Sequence, residues 1–320
     1  MPANVETMAF FAEEVNGIRK SVWHGIGEPV DHAMSSKEAL EIAGLDWTVD
    51  SKPIFNEDGD QIEGFVANTR SSDNSVLGIV TPKYKIIQNV DAFSFTDNLL
   101  GEGVTYETAG SLNRGKSVWL LARMEDSKIL DDDFENYLVF SNSHDGMGAV
   151  HVACTNVRVV CQNTLNLALS TAKRSWSTRH IGNINEKLEE AKHTLQLAKD
   201  YITNLDIEAN KLAELKVSDD ELEAMFDLMF PVDYEKDTQR KIHNITELKT
   251  NLFSCYNATD IKKFKGTAWG ILNATADLVD HRAPARLTEN YRENLFGKVI
   301  SGTTLLDNMY TSIQKMKNVA

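Results

Sequence analysis

Four stretches of this 320-residue chain carry residue types that could do chemistry. Asn142-Ser143-His144-Asp145-Gly146 sets a histidine beside a carboxylate, the pairing that shuttles a proton or holds a metal. The same residues after a strand also make a turn whose polar side chains bond to the backbone. Asn156-Val157-Arg158-Val159-Val160-Cys161-Gln162-Asn163-Thr164 puts an arginine on the opposite side of a strand from Val157 and Val159. Gln162 or Asn163 then stands near a helix cap, an arrangement that holds phosphate or an internal carboxylate. Thr171–His180 alternates bases with hydroxyls around Trp176, either a nucleic-acid contact that stacks a base or a solvated loop. Gly266–Arg282 places Trp269, Asn273, Ala276 or Asp277, and Asp280 along one helix face, as a polar network between helices or as a ligand site.

None of these makes a catalytic signature. Gly-rich phosphate loops, Gly-x-Ser-x-Gly, His-Glu-x-x-His and Cys-x-x-Cys are absent from the sequence, so no cofactor is expected and an enzyme is the less favoured class. Cys161 lacks a base and an oxyanion donor at a telling spacing, and Cys154 and Cys161 read as small buried hydrophobes. Three cysteines suit a reduced compartment better than a disulfide framework.

Charge is the most informative feature. The chain holds 47 acids and 33 bases, a net charge of −14, which argues against a polyanion partner on average. The average hides a gradient. Residues 1–145 contain 25 acids and 11 bases, whereas residues 146–185 contain no acid and four bases, Arg158, Lys173, Arg174 and Arg179. Apolar burial explains the first half of that stretch; it fits the second half, from Thr171 to His180, poorly.

The elements that must position these residues change character along the chain. Short apolar runs at Ile62–Thr69, Val76–Val80, Tyr84–Ile87, Ser117–Arg123, Tyr137–Ser141, Ala149–Ala153 and Val157–Cys161 read as strands. Asn56–Asp60 and Asn113-Arg114-Gly115 are turns, and the short gaps favour antiparallel hairpins. Helices are expected at Ser35–Ala43 with Ser36 as cap, Val90–Leu100 and Thr164–Thr171. From residue 184 the period becomes helical: Asn185–Asn204, a capping box at Ser218–Glu221 opening a helix to Met229, then Thr238–Cys255, Ala268–Val279, Glu289–Leu295 and Thr303–Met316. The expected fold is α+β, an antiparallel sheet of hairpins with interspersed helices over 1–183 and an all-helical region over 184–320. No apolar run suits a membrane span and no signal peptide is seen, so a cytoplasmic protein is expected.

Trp23-His24-Gly25-Ile26-Gly27, Pro82–Asn89, Ser143–Gly146, Arg158–Thr164 and Gly266–Gly270, in this order, resemble the phage/plasmid-like protein family, which carries a domain of unknown function. The resemblance covers nearly the whole chain. It implies a mobile-element gene acting in the bacterial cytoplasm, and brings no catalytic residues. In element order, without a shared motif, the chain is also similar to phage single-strand annealing proteins. The leading expectation is therefore a DNA-metabolism protein that binds single-stranded nucleic acid non-covalently, with possible strand annealing, as a homo-oligomer. Arg158, Lys173, Arg174 and Arg179 would contact phosphates, Trp176 would stack a base, Asn156, Gln162 and Asn163 would supply neutral hydrogen bonds, and His180 would complete the binding set. Two other classes stay open. One is an acidic interaction protein that binds a host protein through Asp131-Asp132-Asp133 and Glu135. The other is a metal-dependent enzyme using His144, Asp145 and His151, or Asp280 and His281.

Overall fold

The computed structural model describes residues 35–99, 103–158, 163–191, 193–282 and 303–317, with strand segments at 5–10, 14–15, 18–19 and 28–29. The strands are β1 (Val5–Phe10), β2 (Glu14–Val15), β3 (Ile18–Arg19), β4 (Glu28–Pro29), β5 (Val49–Phe55), β6 (Gln61–Arg70), β7 (Val76–Val80), β8 (Thr105–Leu112), β9 (Ser117–Arg123), β10 (Ser127–Ile129), β11 (Asp132–Ser143), β12 (Val150–Arg158), β13 (Asn163–Thr164) and β14 (Ser175–Thr178). The helices are α1 (Ser36–Ile42), α2 (Asn89–Ser94), α3 (Ile184–Ala191), α4 (Thr194–Glu214), α5 (Asp219–Met229), α6 (Gln239–Tyr256), α7 (Ala268–Asp277) and α8 (Thr304–Lys317).

The main sheet runs β13-β12-β11-β9-β8-β1-β4, with β10 also on β11 and β14 also on β12. All its pairings are antiparallel except β1 with β4. A separate three-stranded antiparallel sheet has the order β5-β6-β7. Two hairpin turns carry the residues their backbone needs. Gly59 at φ +87° closes β5 onto β6, and Asn113, Arg114 and Gly115, all at positive φ, close β8 onto β9.

The central strands are covered on both faces. In β11, Phe134, Leu138 and Phe140 lie on one side and Tyr137 and Val139 on the other, and all five are buried. Their first set joins a continuous core that runs from Ala39 in α1 to Ile313 in α8. The C-terminal helices thus pack on the sheet, with α4 against β10, β12 and β14 and α7 against β13. The α+β class stands, as does the helical C-terminal region.

Four local expectations need correction. Thr164–Thr171 is no helix: Asn163–Thr164 pairs with Val157–Arg158, Leu165 N–H donates to Asn156 O, and Leu165 and Leu167 are both buried. Alternate leucines in Thr-Leu-Asn-Leu-Ala-Leu fit the period of an extended chain, and tertiary pairing selects it. Tyr84–Ile87 belongs to no strand. Asn185–Asn204 is two helices, broken at His193. Ser35, one residue before the expected Ser36, caps α1 by accepting from Glu38 N–H. Residues 289–295 and the Trp23–Gly27 motif lie outside the described residues. The capping box at Ser218 and Glu221 is present with both of its reciprocal bonds.

Candidate functional site, a polar clasp and the basic end of the main sheet

The turn after β11 is built by Asp145. Its Oδ1 accepts from Ser143 Oγ at 2.6 Å and from the N–H groups of Met147 at 2.7 Å and Gly148 at 3.2 Å. Two glycines let this turn meet β7. A Cβ on Gly78 would lie 2.5 Å from Asp145 Cα, and one on Gly146, which sits at φ +80°, would lie 2.7 Å from Val80 Cγ1. Backbone approach at that range admits no side chain.

Residues 82–89 then lie across this junction as a strap. They have no strand partner among the described residues, and side chains take over the role of a ladder. Tyr84 Oη donates to Ser143 O at 2.6 Å, and Asn142 Nδ2 donates to Ile87 O at 3.0 Å. Gln88 presents its side-chain amide to the backbone of Val49, accepting from its N–H at 2.8 Å and donating to its carbonyl at 2.9 Å. Asn89 Nδ2 donates to Leu45 O at 2.9 Å. At the other end Lys85 N–H donates to His180 O at 2.7 Å.

Two buried histidines hold the strap to the sheet. His144 Nε2 lies 2.8 Å from Asn89 Oδ1, whose partner nitrogen is already committed, so Nε2 carries the proton. Its ring stands edge-on to Trp47 with centroids 5.5 Å apart. His180 Nδ1–H donates to Lys85 O at 3.1 Å, and its ring stacks on Tyr84 at 4.7 Å. That leaves His144 Nδ1 and His180 Nε2 buried without a partner among the described residues. Burial, reinforced by His180, pushes the His144 imidazole down to about 3 against the pull of Asp145. Burial likewise lowers His180, opposed by its bond to Lys85 and by Asp145. Neutral, enclosed imidazoles at these positions clasp the fold together and do not meet solvent as acid or base.

Bases gather outside the clasp. Lys83, Lys85 and Lys116 are exposed, and Lys116 O accepts from His144 N–H. Arg179 is exposed next to His180, and Lys187 Nζ donates to Ile181 O at 2.8 Å. None of these five is ion-paired with a described carboxylate, whereas Arg70, Arg123, Lys128, Lys241, Lys249 and Lys263 are. From Arg179 the outer face continues along β14. Burial alternates strictly from Lys173 to Arg179, with Lys173, Ser175, Ser177 and Arg179 exposed and Arg174, Trp176 and Thr178 partly covered.

The expected site residues therefore separate. Lys173 and Arg179 share the open face. Arg174 turns inward, donating from Nη1 to Cys154 O at 2.8 Å, and Trp176 packs on the core. Asn156 is fully buried and donates to Asn136 Oδ1; His180 is in the clasp. These two have no solvent face with which to meet a ligand. Arg158 stands opposite Phe134 in the register, Asn163 opposite Arg158, and Gln162 lies outside the described residues. Lys83, Lys85, Lys116 and Lys187 were not anticipated, because only tertiary structure joins them.

The remaining candidates resolve into internal structure. Trp269 and Asn273 are fully buried on α7, where Asn273 Nδ2 donates to Trp269 O at 2.9 Å. Asp132 pairs with Lys263, Asp133 with Lys128, and Glu135 with Arg123 and Tyr137 Oη, so that acidic run is largely engaged within the chain. Among the described residues no three His, Cys, Asp or Glu side chains come together as a metal centre. Among them, too, no helix is long and apolar enough to cross a membrane.

Comparison with known proteins adds a family. No curated protein and no solved structure matches the chain. The family model for DUF932, described as a domain of unknown function, matches residues 76–296, from β7 through the strap, the clasp, β14 and the helices to beyond α7. The chain belongs to this DUF932 family.

Proposed function

We propose that this member of the DUF932 family binds single-stranded nucleic acid across the outer face of β14 and the adjoining basic end of the main sheet. The observation that carries the reading is the segregation along residues 173–179, where Lys173, Ser175, Ser177 and Arg179 are exposed in alternation, on a segment whose end at His180 and Ile181 bonds to Lys85 and Lys187. The six steps of chain from Lys173 to Arg179 span about 20 Å when extended, enough to follow several phosphates. Cations neutralise phosphate charge and the serine hydroxyls donate to phosphate oxygens; the mechanism is non-covalent. The acidic remainder of the chain, at net −14 overall, confines a polyanion to this end. Stacking on Trp176 is no part of the reading, since that ring packs on the core. A phage or plasmid origin, a bacterial cytoplasmic setting and a part in strand annealing extend it, supported by the motif resemblance and the element order.

The test is fluorescence anisotropy of a labelled oligothymidylate as a function of salt. Four neutralised phosphates give a slope of about −3 in log affinity against log salt, and Lys85→Glu with Arg179→Glu removes about half of it. Duplex DNA and single-stranded RNA as competitors decide which nucleic acid is preferred. Absence of binding at low salt, or equal slopes for wild type and variant, overturns the reading.

A further inference from the structure

The distal half of the β5–β6 hairpin buries no residue against the rest of the described chain. From Ile54 to Phe65 no residue is buried, and a Cβ on Gly59 or Gly64 would meet nothing within 4 Å. Solvated hairpins of this kind are ordinarily polar on both faces. This one carries Phe55, Ile62 and Phe65 at 57%, 40% and 48% exposure. Ile79, opposite Ala67 on β7, shares a face with Phe65 and is 60% exposed. Interleaved with these apolar side chains are Glu57, Asp58, Asp60 and Glu63, exposed and without an ion-pair partner among the described residues. Beyond the Pro53–Val66 pair the arm extends about 15 Å at the rise of a strand.

We infer that this arm docks on the basic end of the main sheet of a second copy of the chain, head to tail. Charge decides the occupant and the geometry. Two arms packed face to face would bring eight unneutralised carboxylates together, which disfavours a symmetric arm-to-arm dimer. The basic end offers the complement: Lys83, Lys85, Lys116 and Arg179 without ion-pair partners, and two exposed apolar side chains, Met147 at 89% and Ile181 at 49%. Phe55 and Phe65 cover that apolar surface while Glu57, Asp58 and Glu63 neutralise the bases around it. The contact is heterologous, so copies form a closed ring or an open chain. It uses the bases assigned above to nucleic acid, but does not depend on nucleic acid being their ligand. Where both bind, they compete.

Sedimentation velocity of the full chain, without oligonucleotide, tests the contact at low and high salt. Assembly is expected at low salt and dissociation at high salt. Phe55→Ser with Phe65→Ser removes the arm's anchors; Lys83→Glu with Lys85→Glu reverses the receptor. All four positions are exposed, so both variants keep the wild-type thermal midpoint. Each is expected to be monomeric alone. An equimolar mixture yields dimers and nothing larger, because one variant keeps its receptor and the other its arm. A monomeric wild type at low salt, variants that assemble as wild type does, or a mixture that stays monomeric each overturns the inference. A wild type that assembles but binds no oligonucleotide at low salt would count against the nucleic-acid reading alone.

Discussion

The clasp makes stability depend on pH in a window set by histidine. His144 is held down to about 3 by burial, against 6.5 for the unperturbed group. The unfolded chain therefore binds a proton that the folded chain refuses, and stability falls as pH drops through 6.5, continuing until about 3. One proton corresponds to about 1.4 kcal/mol per pH unit, so moving from pH 7.5 to 5 costs about 2 kcal/mol through His144 alone. His180 and His151, both lowered chiefly by burial, act in the same direction. Asp307, raised by burial, opposes them weakly near the bottom of the window. Asp73, Glu221 and Asp237 are lowered carboxylates whose loss begins only as pH falls through the ordinary carboxylate range. Urea unfolding at pH 7.5 and 5.0 reads the effect. His144→Gln keeps a donor for Asn89 but cannot titrate, and its pH slope should be shallower by about one proton. Coincident slopes for wild type and variant would refute the assignment of a neutral, buried His144.

Four further outcomes follow from the same geometry. Gly78→Ala drives a methyl into the Asp145 backbone and should cost at least about 1–3 kcal/mol in urea unfolding. Gln88→Ala leaves both backbone groups of Val49 without their partner, and a loss of about 1–3 kcal/mol is expected in the same assay. Arg174→Ala should lower the thermal midpoint, through the lost bond to Cys154 O, with little change in salt slope, while Arg179→Ala should do the reverse. A fragment limited to residues 76–296 should show no cooperative unfolding by calorimetry: it lacks β6, on which β7 pairs, and α8, which buries Leu306, Met309 and Ile313.

Much of the fold was legible because local chemistry and tertiary structure agree. Val76–Val80 and Ser117–Arg123 are short apolar runs between turn residues, and they are strands with those bounds. Thr238 caps α6 and Thr267 caps α7, each with a polar side chain just ahead of a helical run. The failures are equally physical. β5 holds Pro53, which is compatible with a strand only at a sheet edge, and among the described strands β5 pairs with β6 alone. β8 hides its character under Glu107, Thr108 and Gly110, and Glu107 is buried in spite of its charge. Neither edge position nor a buried carboxylate can be read from local pattern.

The candidate site shows where that legibility ends. Lys173–Arg179 was visible as a basic stretch, but with no strand assigned to it the binding reading put all its cations on one surface. Read as a strand, the same residues separate by parity into Lys173 and Arg179 on one face and Arg174 and Trp176 on the other, as observed. Lys83, Lys85 and Lys116 lay in a region whose local charge is acidic, and only the strap and the His144–Lys116 backbone bond bring them to Arg179. The family match sharpens this division. All four bases fall within residues 76–296, whereas the apolar and acidic arm of residues 54–65 lies outside. A polyanion site built from these bases needs nothing beyond the matched region's own surface. Head-to-tail assembly needs the flanking hairpin as well, and so is open only to chains that carry both.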